Sequence, residues 1–496
     1  MIGKKALVAV VVLAVVLVGS FAVYETYSAG SGVPCGAVVG GEVARIQTSK
    51  SQLGAVTEYR LPAPDKYPNA VTGAPDGTVW FAEDELPGIG HLFPNNGTVV
   101  EYAWPGYAPP KPPDCIGSVS VSGIALWNGG VWAADESGNT IVGVNPSDGK
   151  TVSLNTSSGA DYPYWLAVGP DGYLWFTSDN TPARIGRIAP NMSMEIISLA
   201  GVGQDEPLTL DFVNSSLAYV SAINLSSTPS NPTCLCNGHI YSFDPSAVSA
   251  TITPTAVGQG FNLILPTSAA YLAGSVWVAQ HYSSSIAEYS LRTGNWTTWP
   301  TSTIQYSKVT LPLVTEAGSG GLWFNEHYAN KIARIDPTAG TLTEYSESNP
   351  PPSSFSGVQN DLSIAAADGG AWFTSLSGNY VGFADGNYSP GWSLAVSGGN
   401  NSTVSPGGNA SFAIKVSGTW SEPLKVSASD SENLTSIPSL IRIQPGVSEV
   451  PAGSSPYDLG LKVNAASNIR PGSYTVAITL TDGLTQQSAY FFIRVQ

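Results

Sequence analysis

The stretch PDGYLWFTSDNTPARIGRI, residues 170–188, holds the pattern that decides the fold of this chain. It begins with the turn residues Pro-Asp-Gly at 170–172 and continues into a short apolar strand around Trp175. A second short strand, Ile-Gly-Arg-Ile at 185–188, follows after a polar loop. Short strands separated by Pro, Gly, Asp and Asn are typical of antiparallel β structure.

The strand around Trp175 occurs in seven copies, and most copies are followed by a strand of the Ile-Gly-Arg-Ile type. The central aromatic residues are separated by 52, 43, 44, 58, 46 and 49 residues. This period is typical of four-stranded propeller blades, so we predict an all-β fold whose bulk is a seven-bladed β-propeller. The centres are Trp80, Trp132, Trp175, Tyr219, Trp277, Trp323 and Trp372.

The last copy lacks the Glu-Tyr strand that ends other copies, such as residues 343–345. A strand of that type stands instead at the N-terminal end, as Val-Thr-Glu-Tyr-Arg-Leu at residues 56–61. Closing the ring with this strand would remove the exposed edges of an open array. We therefore expect the propeller to span residues 50–389, with strand 56–61 completing the seventh blade.

Beyond residue 390 the period is lost, and short alternating strands are separated by turn signals such as Pro-Gly at 471–472 and Asp-Gly at 482–483. About a hundred residues with this pattern predict an immunoglobulin-like β-sandwich at 390–496. The segment 471–483 resembles the Ig-like modules of prokaryotic surface proteins, which implies a spacer or an adhesive unit.

The N-terminal residues predict the cellular location of the protein. Lys4 and Lys5 precede Ala6–Tyr24, a run without charge that is long enough to cross the ~30 Å hydrocarbon core. We expect one transmembrane helix within residues 1–28 and a tether at 29–49. The lysines would stay cytoplasmic and the bulk of the chain would lie outside the cell membrane. A cleaved signal peptide and a pilin-type leader are the alternatives.

The amino-acid composition argues against one class of partner, nucleic acids. Charged residues make up 11% of the chain, and the formal net charge of −16 reflects only 20 lysines and arginines together. Phosphate binding needs clustered cations, so we expect no nucleic-acid partner.

Eleven Asn-x-Ser/Thr sequons in a chain with an export signal predict an extracellular glycoprotein. They begin at Asn96, Asn155, Asn191, Asn214, Asn224, Asn295, Asn387, Asn400, Asn401, Asn409 and Asn433.

Four cysteines outside the cell suggest disulfides. Cys35 and Cys115 could join the N-terminal segment to the first blades. Cys234 and Cys236, with His239 nearby, could hold a soft metal, form a strained local disulfide or pair elsewhere.

Two sets of loops meet at one face of a propeller, which we call the mouth: those entering each innermost strand and those following each Trp-bearing strand. Carboxylates and imidazoles converging there could hold a divalent cation, Mg²⁺ or Ca²⁺, or act as acid and base. The alternative is that they are solvated loop residues, some of them bonding turns of the blades. The candidate binding residues are Glu83, Asp84, Asp135, Glu136, Asp179, Tyr164, Trp165, Tyr282 and Tyr328, and the candidate catalytic residues are His281, His327 and Glu326, of which Glu326 and His327 are also metal candidates.

The repeats resemble the streptogramin (virginiamycin B) lyase-like propellers, whose unit reads roughly P-D-G, L-W-F-T-E, N-x-I-G-R-I and T-E-Y. Residues 323–326 (Trp-Phe-Asn-Glu) and 330–335 (Asn-Lys-Ile-Ala-Arg-Ile) match this unit, and the resemblance covers about two thirds of the chain. It implies a Mg²⁺-dependent elimination that opens a cyclic depsipeptide lactone, with a catalytic His just before an innermost strand.

That His has no counterpart here. The corresponding positions hold Asn69, Ser122, Tyr164, Leu208, Thr267, Leu313 and Leu362. None of these side chains exchanges a proton near neutral pH as imidazole does. Glu206 keeps the Glu of the family's Glu-Pro-His segment, but Leu208 replaces the base.

We therefore expect a non-catalytic binding or scaffold protein at the cell surface, which meets a glycan, a peptide or an envelope protein. One alternative is a metal-assisted lyase or hydrolase that uses His281, His327 or Glu326. Another is a structural subunit of an envelope layer or filament.

Overall fold

The computed structural model describes residues 42–62, 66–84, 88–103, 121–136, 138–157, 159–224, 238–261, 263–281, 283–302, 312–318, 320–327, 329–348, 361–431 and 440–496. Regular structure in these ranges is β-strand throughout, apart from a 3₁₀ turn at Pro245–Ala247. None of the described residues belongs to an apolar helix of membrane-spanning length. The expected N-terminal helix and all four cysteines lie outside the described residues.

The chain begins with strands β1 (Glu42–Gln47), β2 (Ser49–Leu53) and β3 (Val56–Arg60). Blades one to three then contain four antiparallel strands each, which follow one another from the axis outward. They are β4 (Pro68–Gly73), β5 (Val79–Glu83), β6 (Gly88–Phe93) and β7 (Thr98–Ala103); β8 (Val121–Trp127), β9 (Gly130–Asp135), β10 (Thr140–Val144) and β11 (Thr151–Asn155); β12 (Pro163–Val168), β13 (Leu174–Ser178), β14 (Arg184–Ile188) and β15 (Met194–Leu199).

Blades four to seven repeat this plan, except that β19 pairs with β15 of blade three and that the seventh blade has three strands of its own. The strands are β16 (Glu206–Asn214), β17 (Leu217–Ile223), β18 (Gly238–Phe243), β19 (Thr251–Ile252) and β20 (Thr255–Ala256); β21 (Pro266–Leu272), β22 (Ser275–Gln280), β23 (Ser285–Ser290) and β24 (Trp296–Pro300); β25 (Pro312–Gly318), β26 (Gly321–Glu326), β27 (Lys331–Asp336) and β28 (Thr341–Ser346); β29 (Asp361–Ala367), β30 (Gly370–Ser375) and β31 (Tyr380–Asp385).

The predicted β-propeller is confirmed. Each innermost strand contacts that of the next blade, and β29 of blade seven contacts β4 of blade one. Strand β3 lies antiparallel to β31, with Tyr59 opposite Val381, and so supplies the fourth strand of the seventh blade. Neighbouring blades bury apolar side chains between their sheets along the whole ring.

The two strands before β3 form a second connection between the ends of the ring. Strand β1 pairs with β7 at the outer edge of blade one, and β2 pairs with β3 at the outer edge of blade seven. Between them, the Thr48 amide and hydroxyl both donate to the Gly97 carbonyl oxygen, at 2.9 and 2.8 Å. The expected tether at 29–49 is therefore too long, because residues from Glu42 onward belong to the ring.

The repeated sequence motif has a local physical cause. Phe176 lies opposite Gly186 across β13 and β14, and a Cβ atom on Gly186 would approach the Phe176 ring to 2.2 Å. The Arg187 guanidinium lies over the Trp175 ring at 5.3 Å and pairs with Glu195 at 2.8 Å. The motif thus packs one sheet and covers its aromatic residue, and none of these contacts requires a ligand.

The C-terminal strands form a two-layer sandwich around one apolar core. They are β32 (Trp392–Ser397), β33 (Asn401–Val404), β34 (Asn409–Trp420), β35 (Leu424–Asp430), β36 (Ile441–Pro445), β37 (Glu449–Val450), β38 (Gly453–Ser454), β39 (Tyr457–Ala465), β40 (Gly472–Thr481) and β41 (Thr485–Val495). One layer has the order β32-β34-β39-β36, and the other has the order β41-β40-β35-β37 with β33 parallel to β41. Strand β41 also pairs with β28, so this layer continues the sheet of blade six.

Candidate functional site

The mouth is lined by the ends of the second strands and the beginnings of the innermost strands. In five blades the first residue after the second strand is an acid or a histidine. These residues are Asp84, Glu136, Asp179, His281 and His327. They share one position in the repeat, but their surroundings differ.

Asp84 connects two blades. Its carboxylate accepts a hydrogen bond from the Asn69 amide at 3.0 Å and another from the Val121 backbone N–H at 3.1 Å. Val121 begins the innermost strand of the next blade, so this carboxylate joins blades one and two. Asp135 similarly accepts from the Gly138 N–H at 2.8 Å and closes its own loop. Both carboxylates are buried and accept hydrogen bonds from backbone N–H groups of the ring.

The two histidines lie side by side in blades five and six, with ring centroids 5.6 Å apart. His281 Nδ1 is 3.3 Å from the carbonyl oxygen of Pro312, which begins the next innermost strand. Burial lowers the pKa of His281 to about 3, with a contribution from His327, and lowers that of His327 to about 4. Both imidazoles are therefore neutral at pH 7, and each is at most 5% exposed.

Glu83 and Glu326 occupy the same register position in blades one and six, and both are buried. The Lys66 ammonium lies 2.8 Å from Glu101 and 3.7 Å from Glu83. Burial raises the pKa of Glu83 to about 8, although the charge of Lys66 opposes this shift. The candidates Glu83 and Glu326 thus lie inside their blades rather than in the opening.

Within the described ranges, no three His, Asp or Glu side chains are arranged to hold a metal ion. His239 contacts Asp205 instead, with Nδ1 2.7 Å from Oδ2, and the Tyr241 hydroxyl donates to the same oxygen. Cys234 and Cys236, like Tyr282 and Tyr328, lie outside the described residues.

A different group of acids converges between blades two and four. We call Glu136, Tyr164, Asp179 and Glu206 the acidic mouth cluster. Burial raises the pKa of Asp179 well above its usual value, and the carboxylates of Glu136 and Glu206 raise it further. Burial also raises the pKa of Tyr164, again with Asp179 and Glu136 contributing. The neighbouring charges that act on Asp179 and Tyr164 are therefore those of acids.

Two acids of the cluster lack a cationic partner in the part of the chain that the structure describes. Neither Asp179 nor Glu206 forms an ion pair within the described ranges, and Asp179 Oδ1 is buried without a hydrogen-bond partner there. Ser122 donates to Glu136 at 3.4 Å. A buried carboxylate oxygen without a donor is costly unless a proton or a cation reaches it.

Apolar side chains form the wall and the floor beside this cluster. Tyr164 packs against Leu208, Ile223 and Leu265, which are all buried. Trp165 packs against the apolar cluster of blades three and four and also against that of blades six and seven. Because these blades lie on opposite sides of the axis, the indole fills the centre of the ring. Trp165, expected as a surface aromatic, is the floor of the mouth.

Two further acids inside the ring were not found from the sequence. Asp211 lies opposite Tyr219 and Glu316 lies opposite Trp323, so they hold equivalent positions on innermost strands. Burial raises the pKa of Glu316 to about 8, and the charge of Asp211 adds to this shift. A charged residue within an otherwise apolar innermost strand is the signal that could have revealed them.

Comparison with known proteins supports the fold. No protein-family model and no curated protein matches this chain. Among solved structures, it is similar to a catalytically inactive variant of virginiamycin B lyase from Staphylococcus aureus, studied with quinupristin. The identity is 20%, the match covers 66% of this chain and 98% of the lyase chain, and the TM-score is 0.51. At this identity the similarity shows a β-propeller fold alone.

A second solved structure, a family 123 glycoside hydrolase from Clostridium perfringens, matches only a small part of the chain. The identity is 20%, the match covers 19% of this chain and 22% of the hydrolase chain, and the TM-score is 0.14. That similarity carries no argument about fold or function.

Proposed function

We propose that this protein is a membrane-anchored binding module of the cell surface, whose ring mouth takes a positively charged group of a peptide or an envelope protein. The observation that carries the proposal is the acidic mouth cluster, because Asp179 presents a buried oxygen without a donor beside two further carboxylates. An ammonium or guanidinium group would supply both the missing donor and the missing charge.

We infer that the ligand at the mouth is a side chain. Trp165 closes the axis below, so a ligand enters from one face and does not pass through. Tyr164 and the apolar wall beside it could cover the methylene stem of a lysine or an arginine. The net charge of −16 would attract cationic partners over longer distances.

We further infer that the sandwich is immunoglobulin-like. The order β32-β34-β39-β36 corresponds to the A-B-E-D layer of that fold, and β41-β40-β35 corresponds to G-F-C. The anchor expected at residues 6–24 would display ring and sandwich together on the outer side of the membrane.

Calorimetric titration of residues 42–496 with a short lysine peptide, a short arginine peptide and a matched glutamate peptide tests the proposal. We expect binding of the cationic peptides only, weakened at least tenfold by Asp179→Asn combined with Glu206→Gln. Glu422→Gln combined with Glu449→Gln removes two carboxylates from exposed positions of the sandwich and should leave affinity unchanged. Equal binding by all variants, or no binding, would exclude the cluster as the site.

A metal-assisted lyase or hydrolase is the second candidate, favoured only by the similarity to virginiamycin B lyase. It would have to act through His281, His327 or Glu326. The two histidines are buried and neutral, and Glu326 is buried. Titration with Mg²⁺, Ca²⁺ and Zn²⁺, repeated on Glu326→Gln, separates the two. Tight metal binding that the variant loses would favour the enzyme.

A further inference from the structure

The sequons of the ring are distributed unequally between its two faces. The face opposite the mouth is formed by the turns from first to second strand and from third to fourth strand, and we call it the hairpin-turn face. Five exposed sequon asparagines stand on it, in blades one, three, four, five and seven. They are Asn96, Asn191, Asn214, Asn295 and Asn387.

Only two described sequons of the ring lie at the other face. Asn224 follows β17 at the mouth, but its side-chain amide donates to Asp205 Oδ1 at 3.1 Å and is partly buried. Asn155 ends β11, which is the outermost strand of blade two, and therefore lies at the rim rather than at the centre. The loops around the axis carry no accessible sequon among the described residues.

At two of these hairpin turns the local geometry leaves the reactive amide nitrogen outward, whereas Asn387 Nδ2 donates to the Gly369 carbonyl oxygen at 3.4 Å. Asn191 Oδ1 accepts hydrogen bonds from the Ser193 amide at 3.0 Å and the Ser193 hydroxyl at 2.7 Å. Asn214 Oδ1 accepts the same pair from Ser216, at 2.8 and 2.9 Å. In each case Oδ1 is occupied, while Nδ2 has no hydrogen-bond partner among the described residues and stands at an exposed position.

The hydrogen bonds of these turns do not require an asparagine amide. Asp244 makes the same pair of bonds with Ser246, and Asp336 caps the Thr338 amide at 2.9 Å. An aspartate would therefore serve the turns at Asn191 and Asn214 equally well. Asparagine adds only the exposed Nδ2, which is the atom that N-glycosylation uses.

We infer that the ring is N-glycosylated on its hairpin-turn face and bare around its mouth, so that the mouth is the contact face. The inference rests on the extracellular location in the proposed function. In the transfer, Nδ2 bonds to the anomeric carbon of a lipid-phosphate-linked oligosaccharide, the bond from that carbon to the phosphate oxygen breaks, and the amide loses one proton. The lipid phosphate is the other product.

Glycopeptide mass spectrometry of protein purified from its own cell membranes tests the inference. We expect glycan on the peptides that contain Asn96, Asn191, Asn214 and Asn295, and unmodified Asn224. Asn191→Asp and Asn214→Asp should remove their glycans while leaving the thermal midpoint of the unglycosylated protein within about 2 °C. Those variants keep the side-chain oxygen that accepts the hydrogen bonds of the turn. Loss of the glycan mass at an unchanged thermal midpoint therefore identifies the amide as the modified group.

The inference is overturned if the hairpin-turn peptides of membrane-derived protein carry no glycan. It is also overturned if Asn224 is glycosylated as often as the hairpin-turn asparagines. The mouth-binding titration uses unglycosylated recombinant protein, so its result does not depend on any glycan. Failure of one proposal is thereby distinguishable from failure of the other.

Discussion

The Tyr490 hydroxyl donates a hydrogen bond to the Pro300 carbonyl oxygen at 2.6 Å, and both groups are buried where the sandwich meets the ring. Tyr490 belongs to β41 of the sandwich, and Pro300 ends β24 of blade five. The Trp299 indole meets the Tyr490 ring edge-on at 4.8 Å. Together with the pairing of β41 and β28, this contact makes the sandwich a fixed part of the ring rather than a module on a flexible spacer.

Replacing Tyr490 by Phe should therefore destabilise the whole protein. The variant keeps the aromatic ring of residue 490, but the buried Pro300 carbonyl oxygen loses its hydrogen-bond donor. This loss costs about 1–3 kcal/mol. Chemical denaturation followed by tryptophan fluorescence and far-UV circular dichroism measures the change. Tyr474→Phe is the control, because its hydroxyl bonds the Arg470 carbonyl at the surface and should change stability by less than about 0.5 kcal/mol.

The same contact predicts that ring and sandwich unfold together. One cooperative transition in the wild-type protein, at the same denaturant concentration by both probes, is the expected result. Two separated transitions in the wild type would show that the domains are independent, and the structural role given to Tyr490 would then be wrong.

Glu347 and Glu83 should make stability fall as pH rises from about 4.5 to 8. The fall should be clearest above pH 6.5, where the lowered pKa values of His281 and His327 no longer act in the opposite direction. Burial raises the pKa of Glu347 from its ordinary 4.5 to about 7, and that of Glu83 to about 8. Glu347 faces Asp361, Glu58 and the Tyr380 hydroxyl, which donates to it. The folded protein holds these protons more tightly than the unfolded chain, so the free energy of unfolding decreases by about 1 kcal/mol per pH unit for each group in that window.

Thermal melts at half-unit steps of pH measure this dependence. Glu347→Gln keeps an acceptor for Tyr380 but cannot ionise, so its melting temperature should fall less between pH 5 and 7. Glu449→Gln changes an exposed carboxylate and should follow the wild type. A melting temperature that rises from pH 6.5 to 8 would contradict the burial argument.

Gly186 should tolerate no side chain. An alanine Cβ would lie 2.2 Å from the Phe176 ring in the centre of blade three, which forces the ring or the strand to move. Overpacking of this kind costs about 1–3 kcal/mol. Gly460→Ala, on a strand of the sandwich where no atom lies within 4 Å of the new Cβ, should be nearly neutral in the same denaturation assay. Equal effects of the two substitutions would refute the packing explanation of the motif.

The propeller could be predicted because its signal is local. Gly186 and Phe176 face each other across one hairpin, so the motif reports a contact within a single blade. The docking of the sandwich could not be predicted in this way. Gln486 and Tyr490 lie on one face of β41 at the even spacing of any sandwich strand. Their contacts with blades six and five connect residues that are far apart in sequence.

The sequence shows acids after the Trp-bearing strands but does not show which of them have hydrogen-bond donors. Asp84 and Asp179 both follow a Trp-bearing strand, yet the position of Asn69 in blade one is held by Tyr164 in blade three. Asn69 donates to Asp84, while Tyr164 and Asp179 form no hydrogen bond with each other in the described chain. Which acid is satisfied therefore depends on a residue of another strand, and spacing along the chain does not reveal it.

Removing the N-terminal strands in two steps should distinguish the strand that closes the ring, β3, from the strands that cover its outer edges, β1 and β2. A chain starting at residue 54 loses β1 and β2, which only cover the outer edges of blades one and seven, and should fold with a lower melting temperature. A chain starting at residue 62 also loses β3, which exposes the β31 edge and the apolar side chains that Val56 and Tyr59 cover. We expect that chain to aggregate or to lose cooperative melting.

A synthetic peptide of residues 55–61 provides the decisive control, because strand addition at a free sheet edge needs only the matching segment. Added to the chain that starts at residue 62, it should restore monomeric elution and a cooperative melt, whereas a peptide of the same composition in scrambled order should not. If the shorter chain elutes as a monomer and melts as cooperatively as the longer one without peptide, β3 does not close the ring. Rescue by the ordered peptide alone would show that pairing of Tyr59 with Val381, rather than chain length, holds blade seven to blade one.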